Sequence, residues 1–258
     1  MRAISYLVVE YKIYMTKKNM AYNGESHDII VGDTVGSLTQ LQKSLIFGSL
    51  LGDGYLRIVP GRKNALLEIN HSISEKKYVD WKFKILKSIS KSGPKSRKGN
   101  GSRVAYRFTT RQHPELTDIY RWFYRADKKK RIPSNLVLDP MSIAVWYMDD
   151  GGKCGQDNVY LNTQQFDADD QNLCMRYLEN FGIKSSLNRD KIYWRVRIKS
   201  DSIEKFFDLV RPYIIPSMEY KLSYNPVETY SEMNGVSRKS DTNMPSPPTS
   251  AKLRRVKR

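Results

Sequence analysis

Hydrophobic positions along this chain change period at regular intervals, and the changes divide it into alternating helices and strands. Residues 44–56, SLIFGSLLGDGYL, run apolar and stop at Gly52-Asp53-Gly54, the profile of a buried helix closed by glycine. Strand-like YLRIV and ALLEINHSI follow, then the helical run EKKYVDWKFKILKSIS, in which Val79, Phe83, Leu86 and Ile89 share one face. Strand RVAYRFTTR, helix PELTDIYRWFYRA and the segment KKKRIPSNL complete the series. The same order then recurs: MSIAVWYMDDGG, strand VYLNTQQF, helix DADDQNLCMRYLENFG, strand IYWRVRIKS, helix DSIEKFFDLVRPY and the segment IPSMEYKL. In the second of these helices Leu173, Tyr177 and Phe181 fall on one face, with Gly182 placed to end it. Pro114 and Pro140 suit first helical turns, the latter behind Asp139 as N-cap. The pattern predicts a tandem duplication with repeats at residues 39–138 and 139–230, an N-terminal arm at 1–38, and a tail at 231–258 too poor in aliphatics to fold.

The strands predict what is presented. In RVAYRFTTR, Arg103, Arg107 and Arg111 alternate with Val104, Tyr106 and Phe108; in IYWRVRIKS, Tyr193, Arg195, Arg197 and Lys199 alternate with Ile192, Trp194, Val196 and Ile198. Period-two alternation packs one face and exposes the other. An ordinary solvated face mixes charge signs, whereas these are almost purely basic at matching places in both repeats, as a phosphate backbone lying across them would require. Arg57 extends the basic set, and Glu68, Asn70, Tyr160, Asn162 and Gln164 on neighbouring strands are candidates to read base edges. The formal net charge of +17 over 258 residues agrees with a polyanionic partner.

Other chemistries find little support. Cys154 and Cys174 form no CxxC pair, and no apolar run approaches the roughly 20 residues that span a bilayer. GSLLGDG lacks the Lys-Ser/Thr of a phosphate loop. His27, His71 and His113 make no ligand cluster, and His71, on a strand face with Ile69 and Ile73, reads as a core histidine.

The two repeat-opening helices each end in Asp before Gly, at Asp53-Gly54 and Asp150-Gly151. One such acid is a common solvated helix end, although the negative end of the helix dipole disfavours it by up to about 1 kcal/mol. Two copies change the weighing. If the duplication axis packs these helices together, with Gly48 and Gly52 permitting close approach, both acids and both negative helix ends meet and repel unless a cation sits between them. Oxygen-only donors suit Mg²⁺.

At these residues the chain resembles the LAGLIDADG homing endonucleases, specifically the single-chain members with two motif copies. FGSLLGDGY and AVWYMDDGGK resemble the two motifs, and HSISEKKYVDWKFKIL, KKKRIPSNL, LNTQQF and RPYIIPSMEYKL resemble further blocks in order. The resemblance implies an α+β, pseudo-twofold αββαββα pair with two antiparallel sheets forming a DNA-binding saddle. It implies Asp53 and Asp150 as metal ligands essential for cleavage, with the backbone carbonyls of Gly52 and Asp149 assisting. Lys130, beside Lys128 and Lys129, and Lys221 match the family's central basic residues, either activating water, neutralising phosphate or merely solvated. Gln164 is either a polar companion of the metal-bound water or a DNA contact. The small residue of the motif is Gly48 in the first helix and Val145 in the second, followed by Trp146 and Tyr147, so the helix interface is expected to be asymmetric.

These readings converge on a Mg²⁺-dependent, site-specific endonuclease, with Mn²⁺ able to substitute, cutting both strands of a long asymmetric duplex as a soluble monomer. An intron- or intein-borne reading frame is implied by the resemblance. Two alternatives remain: a maturase that binds its own intron RNA, and a non-catalytic DNA-binding protein on the same scaffold. The abundance of Lys, Ile, Tyr and Asn suggests an AT-rich genome, organellar (mitochondrion or chloroplast) or bacterial.

Overall fold

The computed structural model describes residues 37–99, 101–155 and 157–222. The expected tail, His27 and nearly all of the expected arm lie outside the described residues. Two αββαββα series follow one another. The first is α1 (Gln40–Leu51), β1 (Tyr55–Ile58), β2 (Ala65–Ser72), α2 (Lys76–Leu86), β3 (Lys95–Lys98), β4 (Val104–Thr109) and α3 (Pro114–Phe123). The second is α4 (Pro140–Asp150), β5 (Gly151–Lys153), β6 (Val159–Leu161), α5 (Ala168–Glu179), β7 (Ser185–Asp190), β8 (Tyr193–Ile198) and α6 (Ile203–Val210). Each half has one antiparallel four-stranded sheet, ordered β1-β2-β4-β3 and β5-β6-β8-β7. The repeated order makes the duplication visible in topology as well as in sequence.

Helix boundaries follow local chemistry. Thr39 and Gln42 form a capping box at α1, and Asp139 caps α4 by accepting from Ser142 N, with Pro140 in the first turn. At α3, Pro114 again opens the helix while the His113 ring accepts from Glu115 N. Both motif helices are buried on several sides, with every residue of α4 from Pro140 to Met148 enclosed. Such all-round apolar character belongs to a helix in the centre of a fold.

Close packing of α1 against α4 depends on missing side chains. A Cβ at Gly48 would overlap the Ser142 carbonyl oxygen and come within 2.6 Å of Val145 Cβ. The interface is therefore asymmetric in the expected sense, since the bulk of Val145 occupies the space that Gly48 leaves. A second link joins the halves at the other end, where Ser44 Oγ donates to Asp139 Oδ2.

Residue patterns alone missed β3, β5 and β7. Their sequences, KSRK, GGK and SSLNRD, carry almost no apolar alternation, and pairing with β4, β6 and β8 makes them strands. Ile192, expected on the packed face of β8, instead lies in the two-residue turn between β7 and β8 and is 76% exposed, while Trp194 on the same expected face is 48% exposed. Lys191 takes a φ of 57° in that turn. The buried stripe of α5 is also displaced: Asp170, Gln171, Cys174, Tyr177 and Leu178 are enclosed, whereas Leu173 and Phe181 are only half-buried. Gln171 and Asp170 can be interior because backbone groups satisfy them. Gln171 Nε2 donates to the carbonyls of Thr163, Phe166 and Trp194, and Asp170 Oδ1 accepts from Ile132 N. Gly182 ends the helix at φ 67° as expected. Both cysteines are free, and no helix among the described residues is long and apolar enough to cross a membrane.

Candidate active site and nucleic-acid interface

The C-terminal ends of α1 and α4 bring their acids to one place. Asp53 and Asp150 line a single cleft of about 420 Å³ together with Lys130, Asn162 and Gln164. The bracketing glycines are steric requirements. A Cβ at Gly54 would press on the Ser49 backbone, one at Gly151 would overlap the Tyr147 ring, and one at Gly52 would strike the Asp149 side chain.

Crowding of like charge shapes the acids. Burial, then the neighbouring Asp53 and Asp149 carboxylates, push the Asp150 carboxyl up to about 7. Burial, then Asp149, raise Asp53 as well, against the opposing pull of His71, Lys82 and Lys130. Two carboxyls that each disfavour ionisation of their neighbours form a site that a cation would relieve. Among the described residues no group of three or more His, Cys, Asp or Glu side chains has the arrangement of a metal cluster. Two carboxylates with open cleft around them instead fit a hard divalent ion completed by water and phosphate oxygens.

The two lysines sit where negative helix ends need them. Lys130 Nζ donates to the Gly52 carbonyl at 2.7 Å, at the end of α1. Lys221, closing the 3₁₀ segment Pro216–Lys221, reaches the end of α4 and donates to the carbonyls of Met148 and, at 3.1 Å, Gly151. The carbonyl oxygens expected to assist a metal are thus met by ammonium groups, Gly52 O by Lys130 directly and Asp149 O by Lys221 at 3.4 Å. The three lysines of the KKKR run are placed differently. Lys130 lines the cleft, Lys129 is highly exposed with Asp127 nearby at 3.7 Å, and Lys128 occupies a turn at φ 63°. Burial lowers Lys130 to about 8 and lowers Lys221 in the same direction.

His71 is buried, but in polar company. Its Nδ1 lies 3.0 Å from Glu75 and 3.6 Å from Asp53, and its Nε2 lies 3.5 Å from Lys82 Nζ and 3.8 Å from Asp149. Of its two expected strand-face companions, Ile69 is buried and Ile73 is exposed. Sequence reasoning also passed over Tyr78 and Lys82, both fully buried beside Asp149. The available signal was position: Lys82 stands four residues from Tyr78 and four from Leu86, on the apolar side of α2.

The sheet faces opposite the helices carry most of the basic candidates. On the first sheet Asn70 pairs with Arg107, and Glu68 receives Arg107 at 3.1 Å and Arg57 at 3.4 Å. Glu68 is thereby engaged with two guanidinium groups. On the second, Tyr160 pairs with Arg197, while the Arg195 guanidinium lies 3.8 Å above the Tyr160 ring and donates to Asn162 at 3.4 Å. Gln164 donates to Asp190 at 2.9 Å, and Tyr193 is half-exposed at the hairpin. Arg103 and Arg111 flank β4 without belonging to it, both exposed. Lys199 does not continue the face of β8: it lies beyond the strand end and lines a groove with Arg176 and Glu179 of α5.

Comparison with known proteins agrees with this architecture. The LAGLIDADG DNA endonuclease family matches residues 43–206, and the chain belongs to that family. It is 30% identical over 208 residues to a probable intron-encoded endonuclease 1 of Wickerhamomyces canadensis, covering 73% of this chain and 87% of the relative. It is 27% identical to the cytochrome b mRNA maturase bI2 of Saccharomyces cerevisiae, covering 81% of this chain but about half, 52%, of that protein. Among solved structures, the homing endonuclease I-WcaI bound to its DNA recognition sequence superposes with a TM-score of 0.68 at 26% identity, covering 76% of this chain and 96% of that one.

Proposed function

We propose that the chain is a site-specific double-strand DNA endonuclease of the homing type, hydrolysing one phosphodiester on each strand of a long asymmetric target. The observation that carries this reading is the meeting of Asp53 and Asp150, one from each half, in a single cleft. Binding alone requires neither acid. Two of the similar proteins are a probable intron-encoded endonuclease and a homing endonuclease bound to its DNA recognition sequence, which supports duplex DNA as substrate.

Asp53 and Asp150 would hold a divalent cation, Mg²⁺ with Mn²⁺ as substitute, which supplies a lowered pKa for bound water and charge stabilisation at the phosphate. Lys130 and Lys221 fix the carbonyls around both acids and add positive charge where the phosphate becomes more negative. Asn162, whose N–H donates to the Asp150 carbonyl at 3.0 Å, ties the base-reading strand to the second acid. Arg57, Arg107, Arg195 and Arg197 bind the backbone and edges of the duplex, and one chain with two unlike halves suits a monomer on a non-palindromic site.

Melting temperature gives a test independent of turnover. In the folded chain the Asp150 carboxyl, raised to about 7, keeps its proton at pH values where the unfolded chain has lost it. Its contribution to stability is full below the ordinary carboxylate range and is lost as pH rises through about 7. A cation held by the ionised acids acts in the opposite sense, so Mg²⁺ should raise the Tm clearly at about pH 8 and much less at about pH 5.5. A Tm at the higher pH that is unchanged between EDTA and Mg²⁺ would count against the metal site.

Specificity has its own test at Glu68. Glu68→Ala releases Arg57 and Arg107 from the carboxylate that orients them. Non-specific duplex affinity should rise with the added positive charge, while discrimination at one base pair falls by about 1–3 kcal/mol, measured by competition with mutated targets.

The activity itself is tested by incubating the chain and Mg²⁺ with DNA in which the flanks of its reading frame are joined without the insertion. Cleavage of both strands is expected. Intact DNA together with tight binding to the intron transcript would instead favour an RNA-binding maturase, the role named for the yeast relative.

A further inference from the structure

Beneath the cleft, α2 of the first half reaches the end of α4 in the second. Lys82 Nζ lies 2.7 and 3.0 Å from the two carboxylate oxygens of Asp149, and both side chains are fully buried. The Tyr78 hydroxyl donates to the same carboxylate at 2.7 Å, and the Lys82 ammonium sits 4.5 Å from the Tyr78 ring centre. Neither Lys82 nor the Asp149 side chain lines the cleft. A buried ion pair is a poor source of stability, because desolvation consumes most of the attraction and apolar packing would serve as well. Its value lies in direction: two oxygens are held by two donors at once, and the next residue along the chain is Asp150.

The support is one-sided. The position in the first motif that matches Asp149 is Gly52, which has no side chain and against which the Asp149 carboxylate packs. Asp150 follows a residue clamped by a buried lysine and a buried tyrosine. Asp53 follows Gly52, whose N–H donates to the Gly48 and Ser49 carbonyls of its own helix and whose carbonyl accepts from Lys130, with no side chain to be clamped.

We propose that Lys82 is a positioning residue of the nuclease centre, pinning Asp149 so that the end of α4 presents Asp150 in one orientation: removing either acid empties the shared centre and stops both cuts, whereas tilting Asp150 alone slows most the cut on the strand nearest it. The inference rests on the endonuclease reading above. Lys82 does not line the cleft, and the carboxylate it hydrogen-bonds is that of Asp149. An ion pair present only for folding would affect both strands alike.

The test uses a supercoiled plasmid carrying the joined flanks described above, on which a single-strand cut gives open circles and a double-strand cut gives linear DNA. Lys82→Met alone strands a buried carboxylate, so the decisive variant is Lys82→Met with Asp149→Asn, which removes both charges and keeps an acceptor for Tyr78. Expected are a Tm close to that of the unaltered chain, unchanged duplex affinity in EDTA, and accumulation of open circles. One strand should be cut about 10- to 100-fold more slowly, with the nicks mapping to the other. Equal slowing of both strands, or an unaltered ratio of open circles to linear DNA, would overturn the proposal. If the double variant does not fold, Tyr78→Phe decides. It retains the ion pair and loses the hydroxyl's contacts to Asp149 and, at 3.3 Å, to the Val145 carbonyl, so open circles rise modestly if the clamp positions Asp150 and stay at the original ratio if it does not. A plasmid left uncut by the unaltered chain would sink the endonuclease reading itself, an outcome distinct from normal cutting by the variants.

Discussion

Asp53→Asn and Asp150→Asn should each reduce double-strand cleavage by at least about 10²- to 10³-fold, the scale on which removal of one transition-state-stabilising group acts, while duplex binding is retained or strengthened. Both acids are needed because they come from different halves and share one cleft. Losing either carboxylate removes half of an oxygen-only donor set to which, among the described residues, no third carboxylate lining the cleft contributes. Binding is spared for an electrostatic reason. Each acid repels phosphate, and the basic faces proposed to hold DNA, with Arg57, Arg107, Arg195 and Arg197, lie on strands rather than at the helix ends. Electrophoretic mobility shifts in EDTA, run beside cleavage assays in Mg²⁺, separate the two effects. A variant that cuts at the normal rate would remove that acid from the chemistry.

Gly48→Ala is expected to damage the contact between the two motif helices. The added carbon would overlap the Ser142 carbonyl oxygen and lie 2.6 Å from Val145 Cβ, so backbone must move. Overpacking of this kind costs about 1–3 kcal/mol, and each kcal/mol lowers the Tm of a chain this size by about 2–4 °C. Because α1 and α4 carry the two acids at their ends, a change in their separation also disturbs the cleft, and cleavage should fall beyond what lost stability explains. Val145→Ala in the same chain would restore little of the Tm, since alanine keeps the Cβ at 2.6 Å and the Ser142 carbonyl stays in place, and only the Cγ1 contact at 3.0 Å is relieved. Full tolerance of Gly48→Ala in thermal melts would show that the helices are not in the close contact described.

What the sequence made legible followed from chemistry that repeats. The twin Asp-Gly helix ends, Asp139 before Pro140, and the alternation of arginine with apolar residues in β4 and β8 are local patterns, and local patterns survive without coordinates. The strands β3, β5 and β7 were not legible from their residues because KSRK, GGK and SSLNRD take their conformation from partners distant in sequence. The same holds for the support of the site. Lys82 looks like one more lysine in a basic helix until α2 is seen to end its side chain against Asp149 across the two halves. His71 was placed correctly in the interior, yet its neighbours Glu75, Asp53 and Asp149 come from three segments that only folding assembles. Asp149 itself was read for its carbonyl, and its side chain turned out to carry the buried contacts.

In the proposed mechanism two carboxylates from two halves form one centre that serves both strands of a duplex. Mapping the ends produced on each strand of the joined-flank DNA tests it most directly. One cut per strand is expected, a few base pairs apart about a common centre, in Mg²⁺ and not in EDTA, with both cuts lost in Asp53→Asn and in Asp150→Asn. Cuts on a single strand, or cuts on both strands that persist when either aspartate is replaced, would contradict it.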